Sequence, residues 1–467
     1  RDVAPSRGLG DVYKRQSDLC VTMAKELGLR YRQEDCNNVI IWKDASPGYE
    51  NAAPVILQGH MDMVCAQTED CPKDMTREGL NLATDGRYVW AEKTSLGGDD
   101  CIAVAAAFAI LADDSLSHPP LEVVITVDEE TGMDGAVALD CSDLKGRRLL
   151  NLDSEEEGVF TVSCAGGLRA DCFVPAVKAP LTDEVCFAVS IGGLKGGHSG
   201  AEIDKGRGSG NDLISRVLYS AMERLGTLRI ADLRGGQFDN VICTRCDAVV
   251  AVPAGKAEDF AAFIREFDGI LKNEYAATDG DVALTCAAAD ADAAYSAEDS
   301  SRLLHVLLTL PQGVEVMSAD FPGLVQTSLN LGVMTACGDG LHFSFSIRSS
   351  VATQKELLLQ RVRAIVEYTG GGTVSTRGDY PAWQYARQSP LRDTVMASYK
   401  QITGQDGVIM ATHGGLECGL LINKMPGLDA VSLGPELHDI HSPRERLGVD
   451  SVKRMYALVC EVLKNCR

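Results

Sequence analysis

VILQGHMDMV, residues 55–64, opens with the four residues of a buried strand and turns polar at Gly59, His60 and Asp62. Side chains at i and i+2 of an extended segment point the same way, so His60 and Asp62 leave the strand's carboxyl end on one face. An imidazole holds a metal well when a carboxylate fixes its tautomer, and Asp62 stands where it can do that for His60. H-x-D also arises by chance, and alone the pair reads more simply as a histidine bonded to its neighbour. The other strands decide between the two.

Residues 121–127 (LEVVITV) form an apolar strand that runs into Asp128, Glu129 and Glu130. Residues 148–152 repeat the arrangement and end at Asp153, and residues 428–433 (LDAVSL) lead through Gly434 and Pro435 to His438 and His441. Between them, TSLGGDDCIAVAAA (94–107) sets Asp99 and Asp100 after a glycine pair at the start of an alanine-rich helix. Aspartate there serves either as an ordinary helix cap or as a metal bridge. Four strands that each deliver an acid or an imidazole at the carboxyl end mark the place where an α/β sheet builds its ligand site.

With 467 residues, 45% of them hydrophobic and 24% charged, the chain is long enough for two or more domains with proper cores. A formal net charge of −22 argues against nucleic acid or an anionic membrane surface as partner. No run approaches the ~18 apolar residues of a membrane span, and no basic segment followed by an apolar one opens the chain; it reads as cytoplasmic. The 16 cysteines are spread over the chain, as reduced thiols used in packing would be. Cys243 and Cys246 form a C-x-x-C with no second pair to complete a zinc site, and read as structural. Residues 1–16 show no periodicity and are set apart from the fold. From Ser17 onward Leu19, Val21, Met23, Leu27 and Leu29 suit an amphipathic helix, followed by a strand at 39–42.

The rhythm changes between residues 180 and 379. A strand at 185–192, a helix at 212–225, a strand at 241–252, a helix at 257–275 and a strand at 282–287 suggest a β-α-β-β-α-β unit. A looser copy follows, with helices at 302–310 and 354–368 and strands at 328–334 and 341–349. The expectation is a catalytic domain in two segments, 17–180 and 380–467, interrupted by an internally duplicated α+β domain at 181–379.

GHMDMV, LGGDDCIAVA, TVDEETGMDGA, NLDSEEEGVF, GGHSGAEIDKGRG, HGGLECGL and HSPRER, in this order and spacing, resemble the aminoacyl-histidine dipeptidases. These belong to a wider family of co-catalytic dizinc peptidases and deacylases that includes the carnosinases. The resemblance runs from about Ser17 to the C-terminus, with DSEEEG, HGGLECG and HSPRER specific to the dipeptidase branch; Asp100 and Cys101 depart from the asparagine and glycine usual there. It implies a dizinc aminopeptidase-like catalytic domain of α/β class with an inserted lid. It further implies that Asp99 bridges two zinc ions, for which manganese or cobalt can substitute, that His60 and Asp153 complete one, and that Glu130 and His441 complete the other. Asp62 then orients His60, Glu129 is the general base, and the Asp99–Asp100 peptide bond is cis.

Within the lid, His198 in the glycine-rich GGHSG is either a surface histidine or, by the resemblance, a donor to the substrate carbonyl. Arg348, on the alternating HFSFSIRSS, is either a sheet-face arginine or a grip for a substrate carboxylate. Asn330 is a further substrate-binding candidate, and Gly414, Gly415 and Glu417 suit the lining of a pocket in the catalytic half. The expected activity is hydrolysis of dipeptides, including Xaa-His and β-Ala-His, by a monomer or homodimer. A dizinc deacylase of N-acyl amino acids is the alternative among enzymes, and a non-catalytic zinc-binding protein the alternative outside them.

Overall fold

The computed structural model describes residues 6–467. The chain divides into two units, the first made of residues up to Ser163 with Tyr385–Ala411 and Leu416–Arg467, the second of Cys164–Gln384 with Thr412–Gly415.

The first unit is an α/β layer built on an eight-stranded sheet. Its strands lie in the order Arg30–Gln33, Val39–Lys43, Leu121–Thr126, Val55–His60, Arg148–Asn151, Asp429–Ser432, Val159–Cys164, Val408–Thr412. The four central strands are parallel and in register: Val55 faces Leu121 and Arg148, and Arg148 faces Asp429. Val55–His60 and Leu121–Thr126 are buried at every position, the pattern of strands covered on both faces. Helix Gly98–Ala112 packs against Val55–His60 through Ala103, Ala106, Ala107 and Ile110.

Residues 6–16 belong to this fold, contrary to the sequence expectation. Helix Ser6–Glu26 continues straight through them; Gln16 donates to the Met61 carbonyl at 2.8 Å and the Tyr13 hydroxyl to Asp128 Oδ1 at 3.1 Å. The contacts of Tyr13 and Gln16 are polar, which an apolar periodicity cannot register. Residues 1–5, grouped with them in that expectation, lie outside the described residues.

The second unit carries a sheet in the order Ala283–Ala289, Glu184–Gly192, Cys246–Pro253, Arg229–Gly235, Val325–Ala336, Gly340–Ser349, Gly166–Pro175, Thr373–Tyr380, antiparallel throughout. Its first four strands run β-α-β-β-α-β along the chain with helices Gly210–Leu225 and Ala257–Glu274. The other four do the same with Ala297–Thr309 and Ala352–Arg363. The unit starts at Cys164 and not at 181, because Gly166–Pro175 pairs with Gly340–Ser349 and buries Leu168, Ala170, Cys172 and Val174 in this core. It resumes the first unit at Tyr385 in place of 380. Cys243 and Cys246 are buried free thiols, as packing cysteines are.

Candidate metal centre and substrate-facing groups

The parallel strands of the first unit end on one cluster. His60, the last residue of its strand, places Nε2 3.1 Å from Asp99 Oδ1 and 3.5 Å from Asp153 Oδ1. His441 Nε2 lies 3.1 Å from the other Asp99 oxygen and 3.0 Å from Glu130 Oε2. Asp99 thus stands between two imidazoles, one on each oxygen, and each imidazole has a second carboxylate beside it. The Asp99–Asp100 bond is cis. His438, by contrast, turns to Glu436 at 2.6 Å.

The surroundings hold these side chains in place. His60 Nδ1 lies 3.1 Å from the Asp62 carbonyl and 3.4 Å from Asp62 Oδ1, and Asp62 Oδ2 accepts the Glu130 amide N–H at 3.2 Å, so one residue orients two candidate ligands. A Cβ on Gly59 would overlap Ala103 Cβ and Asp100 Oδ2; glycine is required for the helix carrying Asp99 to approach the strand carrying His60. Buried Glu445 accepts N–H groups from Leu96 at 2.8 Å, Gly97 at 3.1 Å, Gly98 at 2.7 Å and Asp99 at 3.4 Å. Glu417 does not line a pocket. It is fully buried at the start of helix Glu417–Lys424, where Gln58 and Thr126 donate to it, and Asn151 donates to Gln58 at 2.6 Å.

So many acids in a buried place disturb one another. Burial, then Asp153, pushes Glu129 up to about 9, and burial pushes Glu417 up to about 7 and Asp153 upward. Burial also opposes the charge of Asp99, yet hydrogen bonds from His441 and His60 outweigh it and hold Asp99 well below the usual carboxylate range. Hydrogen bonds that His441 donates to Asp99 and Glu130 push it up to about 10, and the acids around His60 raise that imidazole against the effect of burial.

The donor set fits divalent metal. Two imidazoles and four carboxylates converge, with His60, Asp99 and Glu130, and likewise His60, Asp100 and Asp153, offering atoms within 4.8 Å of one another. Glu130 Oε1 is buried without a hydrogen-bond partner among the described residues. Concentrated, desolvated acids of this kind are stabilised by a cation.

The second unit holds its own polar group. His198 Nδ1 accepts N–H bonds from Gly200 and Ala201, both at 3.2 Å, so the neutral ring carries its proton on Nε2 and presents a donor. Burial and Arg348 both lower its pKa, which favours that neutral form. Arg348 is 6% exposed; Nη1 donates to the Tyr380 hydroxyl at 3.1 Å and Nε has no partner among the described residues. It is therefore a buried arginine and not a solvated one. Asn330 spends its amide on the carbonyls of Asp239 and Val241, both at 2.9 Å, which ties down the segment after Phe238. Gly414 and Gly415, expected in the catalytic half, fall in this unit, where Ala165 donates to the Gly414 carbonyl at 3.0 Å.

Sequence reading did not single out Glu445, Tyr380 or His413. His413 is buried and its Nε2 is 2.7 Å from Ser328 Oγ; it and Glu445 both lie inside quoted motifs, HGGLECGL and HSPRER, and that was the available signal.

Residues 56–465 match the family described as Peptidase family M20/M25/M40. The chain is 36% identical over 451 residues to the cytosol non-specific dipeptidase of Escherichia coli (strain K12), covering 96% of this chain and 92% of that one. The crystal structure of aminoacylhistidine dipeptidase from Vibrio alginolyticus is 33% identical, with a TM-score of 0.90 over 99% of this chain and 97% of the other. The aminopeptidase PepT of Bacillus cereus, 15% identical with a TM-score of 0.56 over 99% of both chains, shares the fold.

Proposed function

Because the chain belongs to peptidase family M20/M25/M40, we propose that it is a cytosolic dipeptidase that hydrolyses Xaa-His, β-Ala-His and other dipeptides with two divalent metals, zinc in the first place and manganese or cobalt as substitutes. The observation that carries this reading is Asp99, whose two oxygens each lie 3.1 Å from the Nε2 of a different histidine. Asp99 would hold both ions, with His60 and Asp153 on one side and Glu130 and His441 on the other. The chemistry a metal pair supplies there is acidification of a water and polarisation of a carbonyl.

The remaining work falls to the protein. Glu129 ligates nothing; it takes the proton of the attacking water and passes it to the leaving amine. Its carboxyl is pushed up by burial and Asp153, while cations held by its neighbours favour the carboxylate, and these opposed influences suit a group that must both accept and give a proton. Asp62 keeps His60 oriented. His198 gives a hydrogen bond from Nε2 to the oxyanion, and Arg348 receives the substrate carboxylate. A free ammonium suits the acidic cluster.

Two variants test the assignment. Glu129→Gln should keep its metals and lose at least ~10²- to 10⁴-fold in kcat, whereas Glu130→Gln should lose one metal and recover part of its activity when metal is added. Dialysis with metal analysis reads both, and exchanged behaviour would mean that base and ligand have been interchanged. Assay of Ala-His against acetyl amino acids separates a dipeptidase from a deacylase.

A further inference from the structure

A second cluster of potential ligands sits in the second unit, on the turn that joins Val325–Ala336 to Gly340–Ser349. Its sequence is Cys337-Gly338-Asp339-Gly340-Leu341-His342. Thr335 and His342 are cross-strand partners. Alternation puts Cys337 on the face of Thr335, and therefore on that of His342. Cys337 Sγ, an Asp339 oxygen and a His342 ring nitrogen all lie within 4.8 Å of one another, with His342 Nε2 3.7 Å from Asp339 Oδ1.

The turn is built to hold this arrangement. Cys337 N–H donates to the Gly340 carbonyl at 2.8 Å. The Tyr295 hydroxyl, on a fully buried side chain, reaches the carbonyls of both Cys337 (2.5 Å) and Gly340 (2.7 Å). Ala176 N–H donates to the Asp339 carbonyl at 3.0 Å. The imidazole of His342 rests against Phe173, its partner on the neighbouring strand, with ring centroids 4.6 Å apart. The backbone of all three ligand positions is thus tied down, while the side chains of Asp339 and His342 remain open to solvent.

We propose that Cys337, Asp339 and His342 bind a further divalent cation of the zinc and cobalt class, at a site independent of the acidic cluster of the first unit. A thiolate with an imidazole and a carboxylate selects borderline-soft ions over magnesium or calcium, which favour all-oxygen shells. Three protein ligands leave a fourth position to water. On binding, the thiol proton passes to solvent and the sulfur lone pair forms the bond to the metal, with no change of oxidation state.

Cobalt(II) is the probe, exchanged for zinc in the full chain by dialysis and followed by absorption. A sulfur-to-cobalt charge-transfer band should grow to one equivalent in the wild type. It should be absent in Cys337→Ser and weakened in His342→Ala, and each variant should hold one zinc fewer than the wild type after dialysis, with dipeptide hydrolysis unchanged. A band of equal intensity in Cys337→Ser, or equal zinc content in all three proteins, overturns the proposal. Because the readout is the difference from the wild type, a different metal count in the first unit would leave it intact.

Discussion

Glu445→Ala is expected to be the most damaging change of a residue that ligates nothing. The carboxylate accepts N–H bonds at 2.7 to 3.1 Å from Leu96, Gly97 and Gly98, with Asp99 at 3.4 Å. Alanine leaves three well-placed donors buried without an acceptor, at roughly 1–3 kcal/mol each, so about 3–9 kcal/mol of stability should go, the lower end applying where water enters the space. Glu445→Gln keeps one acceptor oxygen and should lose about half as much. Urea unfolding in the presence of a chelator measures this free of metal linkage, and dialysis with zinc on the same proteins measures whether Asp99, released from its loop, still holds metal. A loss below about 1 kcal/mol, the size of one ordinary hydrogen bond, with zinc content unchanged, would refute the idea that Glu445 positions Asp99.

Metal uptake should release protons, because Asp99 and Glu130 push His441 up to about 10 and a ligand imidazole must be neutral. Adding zinc at pH 7.5 in weak buffer with an indicator should show the release, uptake should tighten as pH rises, and a silent indicator counts against His441 as ligand. In the second unit burial, then Arg348, lowers His413 to about 4. The folded form stays neutral where the unfolded chain takes a proton, so stability should fall as pH drops from 6.5 toward 4, by up to roughly 3 kcal/mol. Urea midpoints at pH 7.5 and 5 should show this slope in the wild type and a flatter one in His413→Asn. His198→Ala should leave zinc content and unfolding unchanged and lower kcat; an unchanged kcat removes His198 from the reaction.

The candidate metal ligands other than Asp99 were legible because each follows a short apolar run, and four such runs in one chain are hard to explain as solvated loops. The central strands were legible by the same logic, since strands buried on both sides read as mostly apolar runs; their order was not. What escaped depends on partners distant in the sequence. Glu445 acts on backbone N–H groups nearly 350 positions away, and a charge in HSPRER looks the same whether it faces solvent or a buried loop. The strand Arg229–Gly235 carries two arginines and an aspartate, so its place inside a sheet was masked. Gly166–Pro175 alternates in a way that suits either sheet, which moved the unit boundary. Glu417 was read as pocket lining because nothing local distinguishes a helix-starting glutamate from one whose donors, Gln58 and Thr126, arrive from other strands.

The parallel strand Asp429–Ser432 lies between Arg148–Asn151 and Val159–Cys164, and its pairing with Arg148–Asn151 joins residues about 280 positions apart. During synthesis the earlier strands leave the ribosome with an open apolar edge and must wait for most of the remaining chain before it is covered. At ribosomal speeds of roughly 5–20 residues per second, that interval is on the order of tens of seconds. The second unit, whose strands lie almost wholly within that stretch, can fold in the meantime. A nascent chain stalled before Asp429 would therefore expose a hydrophobic strand, which makes it a natural client for chaperones, and would lack His441, so it could not complete the candidate metal centre.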